Sequence, residues 1–229
     1  REKGLKVFNT PAASSDSVAE LVMGHMRSLV RFMHDSNRQM PLEGDSKFGA
    51  LKKSYAKGVE LRGRTLGIVG FGRIGQALAK LAIGAGMKVV FSDIHEDNVD
   101  VELSFFDGQS AKFTCENVGF DRVLAESDFI SVHVPGGDLI GASELAKMKD
   151  GVVLLNAARG GVINEEALLD ALESGKVAGA GLDVFVNEPT PAVKVLMNGK
   201  LSVTPHIGAA TLEAQDRIGT ELAAHIDAI

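Results

Sequence analysis

The stretch Gly70-Phe71-Gly72-Arg73-Ile74-Gly75 decides the fold of this chain. The apolar run Leu66–Val69 before it predicts a short buried strand, and the amphipathic run Gln76–Ile83 after it predicts a helix. The glycines therefore lie at a turn from a strand to a helix, which is the context that this spacing requires for phosphate binding. The unpaired N–H groups and the positive dipole end of the helix would face the phosphates.

Each glycine has its own predicted role in binding a dinucleotide. Gly70 allows the tight turn, Gly72 lets the backbone approach a pyrophosphate, and Gly75 lets the helix pack closely against the strand. A second predicted strand, Met87–Ser92, is followed by Asp93, 18 positions after Gly75. A carboxylate at this place accepts hydrogen bonds from the ribose hydroxyls and repels a 2′-phosphate. The sequence therefore predicts that the cofactor is NAD rather than NADP.

Length and composition are typical of a globular α/β protein. The chain has 229 residues, of which 45% are hydrophobic and 24% are charged, so it can fill a sizeable core. Its formal net charge of −6 is spread along the chain. We therefore expect neither a nucleic-acid partner nor an anionic membrane surface, because both attract clustered basic residues.

The cysteine count and the hydropathy pattern predict a cytoplasmic protein. Cys115 is the only cysteine, which excludes an intrachain disulfide and suits a reducing compartment. No uninterrupted apolar run approaches the roughly 20 residues that span a bilayer. No apolar segment follows Arg1, so we expect no secretory signal there.

Apolar runs alternate with helical patterns from Thr65 onward, which predicts a doubly wound parallel sheet of the Rossmann type. The predicted strands are Thr65–Val69, Lys88–Ser92, Phe129–His133, Val152–Asn156, Ala178–Asp183 and Leu201–Thr204. The predicted helices between them are Arg73–Ala85, Gly119–Glu126, Gly141–Met148 and Glu165–Ser174, the last with Asn164 as its N-cap. Two segments stay open, since Val99–Phe106 and Ala111–Cys115 fit either strands or an irregular insertion.

Long helical patterns flank this α/β region. The first, Ser14–Met40, is followed by a polar stretch, Pro41–Gly63, that predicts a loop, and a further helix is expected at the C-terminus. Within Ser17–Met33 the apolar stripe is wider than one buried face requires. This stripe fits either a central core helix or a two-fold interface, and we expect a homodimer through it.

Four chemically active side chains follow the carboxyl ends of predicted strands, where open parallel sheets bind their ligands. Arg159 comes after the strand that ends at Asn156. Asp183 ends the next predicted strand, Glu188 follows that strand, and His206 comes after the last strand. Each has a structural alternative: a surface ion pair, a loop cap, a solvated carboxylate or a satisfied histidine. Together at one edge of a sheet they predict an acid–base site.

These four residue types suit the oxidation of an alcohol beside a carboxylate. Removing hydride from carbon requires a base for the hydroxyl proton, and His206 is the natural candidate. Glu188 on the other ring nitrogen would fix the tautomer and favour the imidazolium. Arg159 would hold the substrate carboxylate with its rigid fork of donors. Asp183 would orient the cofactor or the imidazole.

Five separated segments resemble a known family, with order and spacing in agreement. They are Gly70–Gly75 with Asp93, His133-Val134-Pro135, Asn156–Gly161, Asp183–Pro189 and Thr204–Ala209. These match the signatures of the D-isomer-specific 2-hydroxyacid dehydrogenases. The segments Ser17–Leu21 and His206–Ile218 are most similar to the branch of the family that oxidises 3-phospho-D-glycerate for serine biosynthesis.

The resemblance implies a role for particular residues. It makes Arg159 the catalytic arginine that binds substrate, His206 the general acid–base and Glu188 the partner of His206. It implies no metal ligands. The implied cofactor contacts are Gly70, Gly72, Arg73, Ile74, Gly75, Asp93, His133, Val134, Pro135, Ala157, Ala158, Arg159, Asp183, His206, Ile207, Gly208 and Ala209.

The resemblance also implies that this chain is the cofactor-binding part of such an enzyme. Residues 1–229 would form one NAD-binding domain with a core at 64–205, and 1–13 and 211–229 would lead to an absent substrate domain. The implied partners are a phosphorylated hydroxy acid and a second copy of the chain. A hydroxypyruvate, glyoxylate or D-lactate reductase is the alternative within the family. A non-catalytic, NAD-sensing protein of the corepressor type is the alternative from another class.

Overall fold

The computed structural model of the chain describes residue 10 and residues 12–227. Eight strands form one sheet in the order β3-β4-β2-β1-β5-β6-β7-β8, and every pairing except β3–β4 is parallel. The strands are β1 Thr65–Val69, β2 Lys88–Ser92, β3 Val99–Ser104, β4 Ser110–Asn117, β5 Phe129–Val132, β6 Val152–Asn156, β7 Val177–Leu182 and β8 Leu201–Val203. The doubly wound α/β fold is thereby confirmed, and each predicted strand agrees within one residue at either end.

Eight helices are found among the described residues. They are α1 Ser15–Val30, α2 Met33–Ser54, α3 Arg73–Gly84, α4 Phe120–Glu126, α5 Ala142–Lys147, α6 Glu165–Ser174, α7 Val193–Leu196 and α8 Leu212–Asp227. The short helix α7 was not predicted. Asn164 caps α6 as expected, because its side-chain Oδ1 accepts a hydrogen bond from the backbone N–H of Ala167 at 3.0 Å.

The sheet is covered on both faces, and alternate residues of a strand serve opposite cores. In β6, Val153 and Leu155 belong to the cluster that includes α1 and α3. Val152 and Leu154 belong to the cluster that includes α4, α5 and α6. The central strands are buried on both sides, which explains why their sequences are continuous apolar runs rather than alternating ones.

The prediction of one helix over Ser14–Met40 followed by a loop is wrong. Phe32 adopts a left-handed conformation with φ of 55°, so α1 ends at Val30 and a second helix begins at Met33. That helix, α2, runs to Ser54 through most of the predicted loop, with non-helical backbone at Lys47. None of its residues is buried. Without a buried face the segment has no apolar periodicity, which is why the sequence pattern missed it.

The open question over residues 98–117 is answered by an antiparallel hairpin of β3 and β4. Val99 pairs with Cys115 and Ser104 with Ser110. Strand β4 also runs parallel to β2, so the hairpin extends the edge of the sheet. The hinge segment 1–13 lies mostly outside the described residues, as do residues 228 and 229.

Candidate active site

The parallel register brings six strand ends into one row. Ser92 of β2 pairs with Val69 of β1, which pairs with Val132 of β5. The row continues through Asn156 of β6, Leu182 of β7 and Val203 of β8. Every segment predicted to carry function follows one of these ends, so the structure brings all of them to the same edge of the sheet.

The glycine-rich turn after β1 has the shape that a dinucleotide requires. A Cβ at Gly70, where φ is 88°, would lie 2.6 Å from the carbonyl oxygen of His133. A Cβ at Gly75 would lie 2.5 Å from the carbonyl oxygen of Gly70. A Cβ at Gly72, the N-cap of α3, would meet nothing within 4 Å. Two glycines therefore permit close packing, and the third leaves space for a pyrophosphate at the start of α3.

Asp93 lies at the tip of β2, beside this turn. One carboxylate oxygen accepts a hydrogen bond from the backbone N–H of Phe71 at 2.7 Å, and the other accepts from His95 N–H at 2.8 Å. Partial burial raises the pKa of Asp93, but these backbone donors outweigh it and leave the pKa below its ordinary value. The side chain is therefore a carboxylate at neutral pH and can repel a 2′-phosphate.

Arg159 is held on a short turn after β6 by the side chain of Asn156. The Asn156 amide donates to the carbonyl oxygen of Arg159 at 2.9 Å, and its oxygen accepts from Ala158 N–H at 3.0 Å. Gly160 brings this turn against the loop after β7, since a Cβ there would lie 1.9 Å from the carbonyl oxygen of Phe185. The guanidinium stays exposed and donates to the carbonyl oxygen of Ala158 at 2.6 Å.

Glu188 and His206 form the pair that the sequence predicted. Oε2 of Glu188 lies 2.7 Å from Nδ1 of His206, and Oε1 accepts from Phe185 N–H at 2.9 Å. The hydrogen bond with His206, followed by that from Phe185, holds the pKa of Glu188 below its ordinary value, with a smaller contribution from the positive charge of Arg159. Among the described residues Nε2 of His206 has no partner, so this atom is free to exchange a proton with a bound molecule.

Asp183 supports the turn that carries His206. Its side chain is 1% exposed. One oxygen accepts from the hydroxyl of Thr204 at 2.6 Å and from Ile207 N–H at 2.9 Å, and the other accepts from Gly208 N–H at 2.8 Å. We therefore expect Asp183 to act through the turn.

The remaining predicted cofactor residues fall into two groups. The partly or fully exposed ones are Gly70, Gly72, Arg73, Ile74, Asp93, His133, Val134, Pro135, Ala157, Arg159, His206, Ile207 and Ala209. Gly75, Ala158 and Gly208 are buried with Asp183 and shape the site from beneath. His133 is partly exposed as a residue, but Nδ1 of its ring is buried. This burial lowers the pKa of His133 to about 4, so the imidazole is neutral, and its Nε2 lies 2.8 Å from the hydroxyl oxygen of Ser131.

Sequence reasoning assigned no role to three residues that shape the site. Asn156 holds the Arg159 turn, and its signal was available, because an asparagine at a strand end commonly bonds to the backbone two residues later. Gly160 permits the approach of two loops that are distant in sequence. Thr204 binds Asp183, a contact that no local pattern shows. The described residues contain no group of three or more potential metal ligands.

The comparisons with known proteins define the class. The NAD-binding domain of the D-isomer specific 2-hydroxyacid dehydrogenases matches residues 23–208. The chain therefore belongs to this family of oxidoreductases, and NAD is the cofactor of the domain. None of the described helices is long and apolar enough to cross a membrane.

Particular relatives narrow the comparison. The chain is 45% identical to the hydroxypyruvate reductase of Thermotoga maritima, over 97% of this chain and 69% of the relative. It is 39% identical to the D-3-phosphoglycerate dehydrogenase of Mycobacterium leprae, over 96% of this chain and 40% of the relative. A solved glyoxylate reductase from Paecilomyes thermophila superimposes with a TM-score of 0.82 at 34% identity, over 99% of this chain and 65% of that one.

Proposed function

We propose that this chain is the cofactor-binding part of an enzyme that interconverts a D-2-hydroxy acid and the corresponding 2-oxo acid. The observation that carries the proposal is the 2.7 Å contact between Glu188 and His206 at the same sheet edge as Arg159 and the glycine turn. A general base, its orienting carboxylate and a carboxylate-binding cation are the groups that this reaction requires.

Each of these side chains has a defined part in the reaction. Nε2 of His206 accepts the hydroxyl proton during oxidation and returns it during reduction. Glu188 accepts a hydrogen bond from Nδ1–H and stabilises the imidazolium that forms. Arg159 binds the carboxylate of the substrate and fixes its orientation. NAD, when bound, supplies the hydride acceptor for this chemistry.

The glycine turn, the start of α3 and Asp93 would hold the pyrophosphate and the adenosine ribose. Their geometry fits, because Gly72 leaves open space at the α3 N-terminus and Asp93 is charged beside it. The turn from His206 to Ala209 and the segment from His133 to Pro135 complete the proposed site. The segments 1–13 and 211–229 would connect this domain to a substrate domain.

Within this class we propose a three-carbon substrate. Identity of 45% with a hydroxypyruvate reductase over most of its length favours hydroxypyruvate and D-glycerate. The 39% identity with a D-3-phosphoglycerate dehydrogenase supports the 3-phosphorylated pair that the sequence analysis expected. We place the unphosphorylated pair first. The two differ by one phosphate group, whose binding residues would belong to the substrate domain.

Turnover of the full-length protein tests the proposal. We expect NADH oxidation with hydroxypyruvate, and weaker rates with 3-phosphohydroxypyruvate, glyoxylate and pyruvate. His206→Ala and Arg159→Ala should abolish turnover and leave NADH binding in place, whereas Arg122→Ala, which removes an exposed arginine paired with Glu126 within α4, should change neither. NADH binding without turnover of any of these acids would contradict the enzymatic proposal and favour a non-catalytic NAD sensor.

We propose that the protein is a cytoplasmic homodimer. The stripe on α1 that motivated the dimer is buried in the chain's own core and needs no partner. Support comes instead from α2, which buries no residue and exposes Met40, Leu42 and Phe48. Exposed apolar side chains on a helix that has no buried face favour an interface there. The single buried cysteine supports a reducing compartment.

A further inference from the structure

Helix α1 carries a buried histidine, His25, that is far in sequence from the site residues His133 and His206. His25 is 5% exposed and packs against the backbone of β7. A Cβ at Gly181 would lie 2.7 Å from Cβ of His25, so the glycine makes room for the imidazole. The ring therefore lies beneath the strand end that carries Asp183.

Both nitrogens of His25 have side-chain partners in the strand β8 and its end. Nδ1 lies 2.8 Å from the hydroxyl of Ser202, and Nε2 lies 3.1 Å from the hydroxyl of Thr204. The Thr204 hydroxyl in turn donates its only proton to Asp183 at 2.6 Å. A hydroxyl that already donates its proton can only accept another hydrogen bond. Nε2 of His25 is therefore the donor toward Thr204.

This direction determines the tautomer. Burial lowers the pKa of His25, and the nearby His34 lowers it further, whereas the charge of Asp183 raises it by less than the burial effect. The ring is therefore neutral, and its single proton lies on Nε2. Nδ1 then accepts from the hydroxyl of Ser202. The hydrogen bonds run in one direction, from Ser202 through His25 and Thr204 to Asp183.

This series of hydrogen bonds ends at Asp183, which binds the turn that carries the proposed general base, His206. Asp183 accepts from the backbone N–H groups of Ile207 and Gly208. His206, directly before them, has a φ of 55°, a left-handed conformation that a non-glycine residue keeps only when its surroundings hold it.

We propose that His25 is a positioning residue of the active site, whose hydrogen bond to Thr204 fixes the donor that holds Asp183 and the turn after His206. The inference rests on the proposed role of this turn in cofactor binding. His25 touches neither the cofactor nor the substrate and acts through Thr204. Its effect is carried by a proton on a defined nitrogen, which distinguishes it from a side chain that only fills space.

The tautomer is tested first, without any ligand. Nitrogen-15 NMR of the histidine-labelled chain, with the His25 signal identified by its loss in His25→Leu, should show a protonated Nε2 and an unprotonated Nδ1. Thr204→Val keeps the shape of the side chain but removes the acceptor, and should abolish this preference. A proton on Nδ1, or a tautomer that Thr204→Val leaves unchanged, would refute the proposed direction of the hydrogen bonds from Ser202 to Asp183.

Matched variants then test the positioning role through the dissociation constant of NADH. His25→Leu fills the space without a donor and should weaken binding about three- to tenfold, the effect of one neutral buried hydrogen bond. His25→Gln retains an N–H donor and should stay within about twofold of the wild type. The carbon-13 signal of the His206 ring should move in His25→Leu and not in His25→Gln.

A double-mutant cycle separates the effect of the hydrogen bond between His25 and Thr204 from the effect of packing. Both substitutions interrupt the same series of hydrogen bonds between Ser202 and Asp183. The double variant His25→Leu/Thr204→Val should therefore bind NADH no more weakly than Thr204→Val alone. Equal losses in His25→Leu and His25→Gln, or additive losses in the cycle, would overturn the proposal. If His25→Leu does not fold, the comparison of His25→Gln with Thr204→Val still tests the positioning role of His25. Absence of NADH binding by the wild type would refute the proposed function, and the tautomer test would then decide this inference alone.

Discussion

Glycine 160 shows how strongly single residues constrain this site. It has no side chain because the turn that bears Arg159 touches the loop that bears Glu188, at the carbonyl oxygen of Phe185. Arg159 and Phe185 are 26 positions apart in the sequence, and only the fold brings them together. At the residue scale, the site is therefore built from close approaches of backbone as much as from reactive side chains.

Asp93 should decide which dinucleotide binds. We expect a strong preference for NADH over NADPH, since two unit charges about 4 Å apart repel by about 4 kcal/mol at an effective dielectric of about 20. Asp93→Asn should reduce the ratio between the dissociation constants of NADPH and NADH. Asp97→Asn, an exposed carboxylate nearby, should leave it unchanged. Fluorescence titration gives both dissociation constants, and equal affinities in the wild type would rule out the role of Asp93.

Glu188→Gln should change the pH dependence of the full-length enzyme more than its maximal rate. An amide does not stabilise the imidazolium of His206 as the Glu188 carboxylate does, so the acid limb of the profile for oxidation should move to lower pH. An identical pH profile would show that Glu188 is a bystander.

The same variant has a predictable effect on stability. The folded-state pKa of Glu188 is lowered, so its contribution to stability is present above the ordinary value of 4.5 and is lost as pH falls through the folded value. The difference in unfolding free energy between the wild type and Glu188→Gln should therefore be measurable at pH 7 in urea. It should vanish in acid.

At the scale of elements, α1 and α2 are neighbours in sequence with opposite roles. The first packs on α3 and on strands β6 to β8, and the second buries none of its residues. Hydrophobic burial therefore stabilises α1, whereas α2 depends on local bonds such as the exposed pair of Glu43 and Lys47 at 2.8 Å.

Core substitutions should distinguish these two helices. Met26 is fully buried on α1, so Met26→Ala should lower the free energy of unfolding by about 2 to 5 kcal/mol. Arg27→Ala beside it and Lys53→Ala on α2 remove exposed side chains and should cost less than about 0.5 kcal/mol. Urea unfolding measures all three. A loss in Lys53→Ala as large as that in Met26→Ala would mean that α2 contributes to the core.

At the scale of the whole molecule, assembly should depend on α2. We expect light scattering at micromolar concentration to give twice the chain mass of 24.1 kDa. Leu42→Asp, 74% exposed on α2, should shift the protein toward the monomer. Leu212→Asp, 77% exposed on α8, makes the same chemical change elsewhere and should leave the dimer intact. A wild-type mass near that of one chain would contradict the dimer.

Local sequence patterns were sufficient to predict most of the sheet and the chemistry of its edge. Continuous apolar runs identify strands buried on both faces, and the glycine spacing identifies the turn after β1. Because parallel strands end at one edge, the positions of Arg159, Glu188 and His206 after strand ends were enough to predict their meeting. The contact between Glu188 and His206 is confirmed at 2.7 Å.

Elements and hydrogen bonds without a local sequence pattern could not be predicted and are visible only in the folded chain. Helix α2 has no buried face, and β3 and β4 each bury a single residue, so their sequences carry too little apolar periodicity to identify them. The wide stripe of α1 was expected at an interface and is instead buried against α3 and strands β6 to β8 of the same chain. The chain of bonds from His25 to Asp183 joins residues 158 positions apart, and hydrogen bonds over such separations depend on packing that no short stretch of sequence encodes.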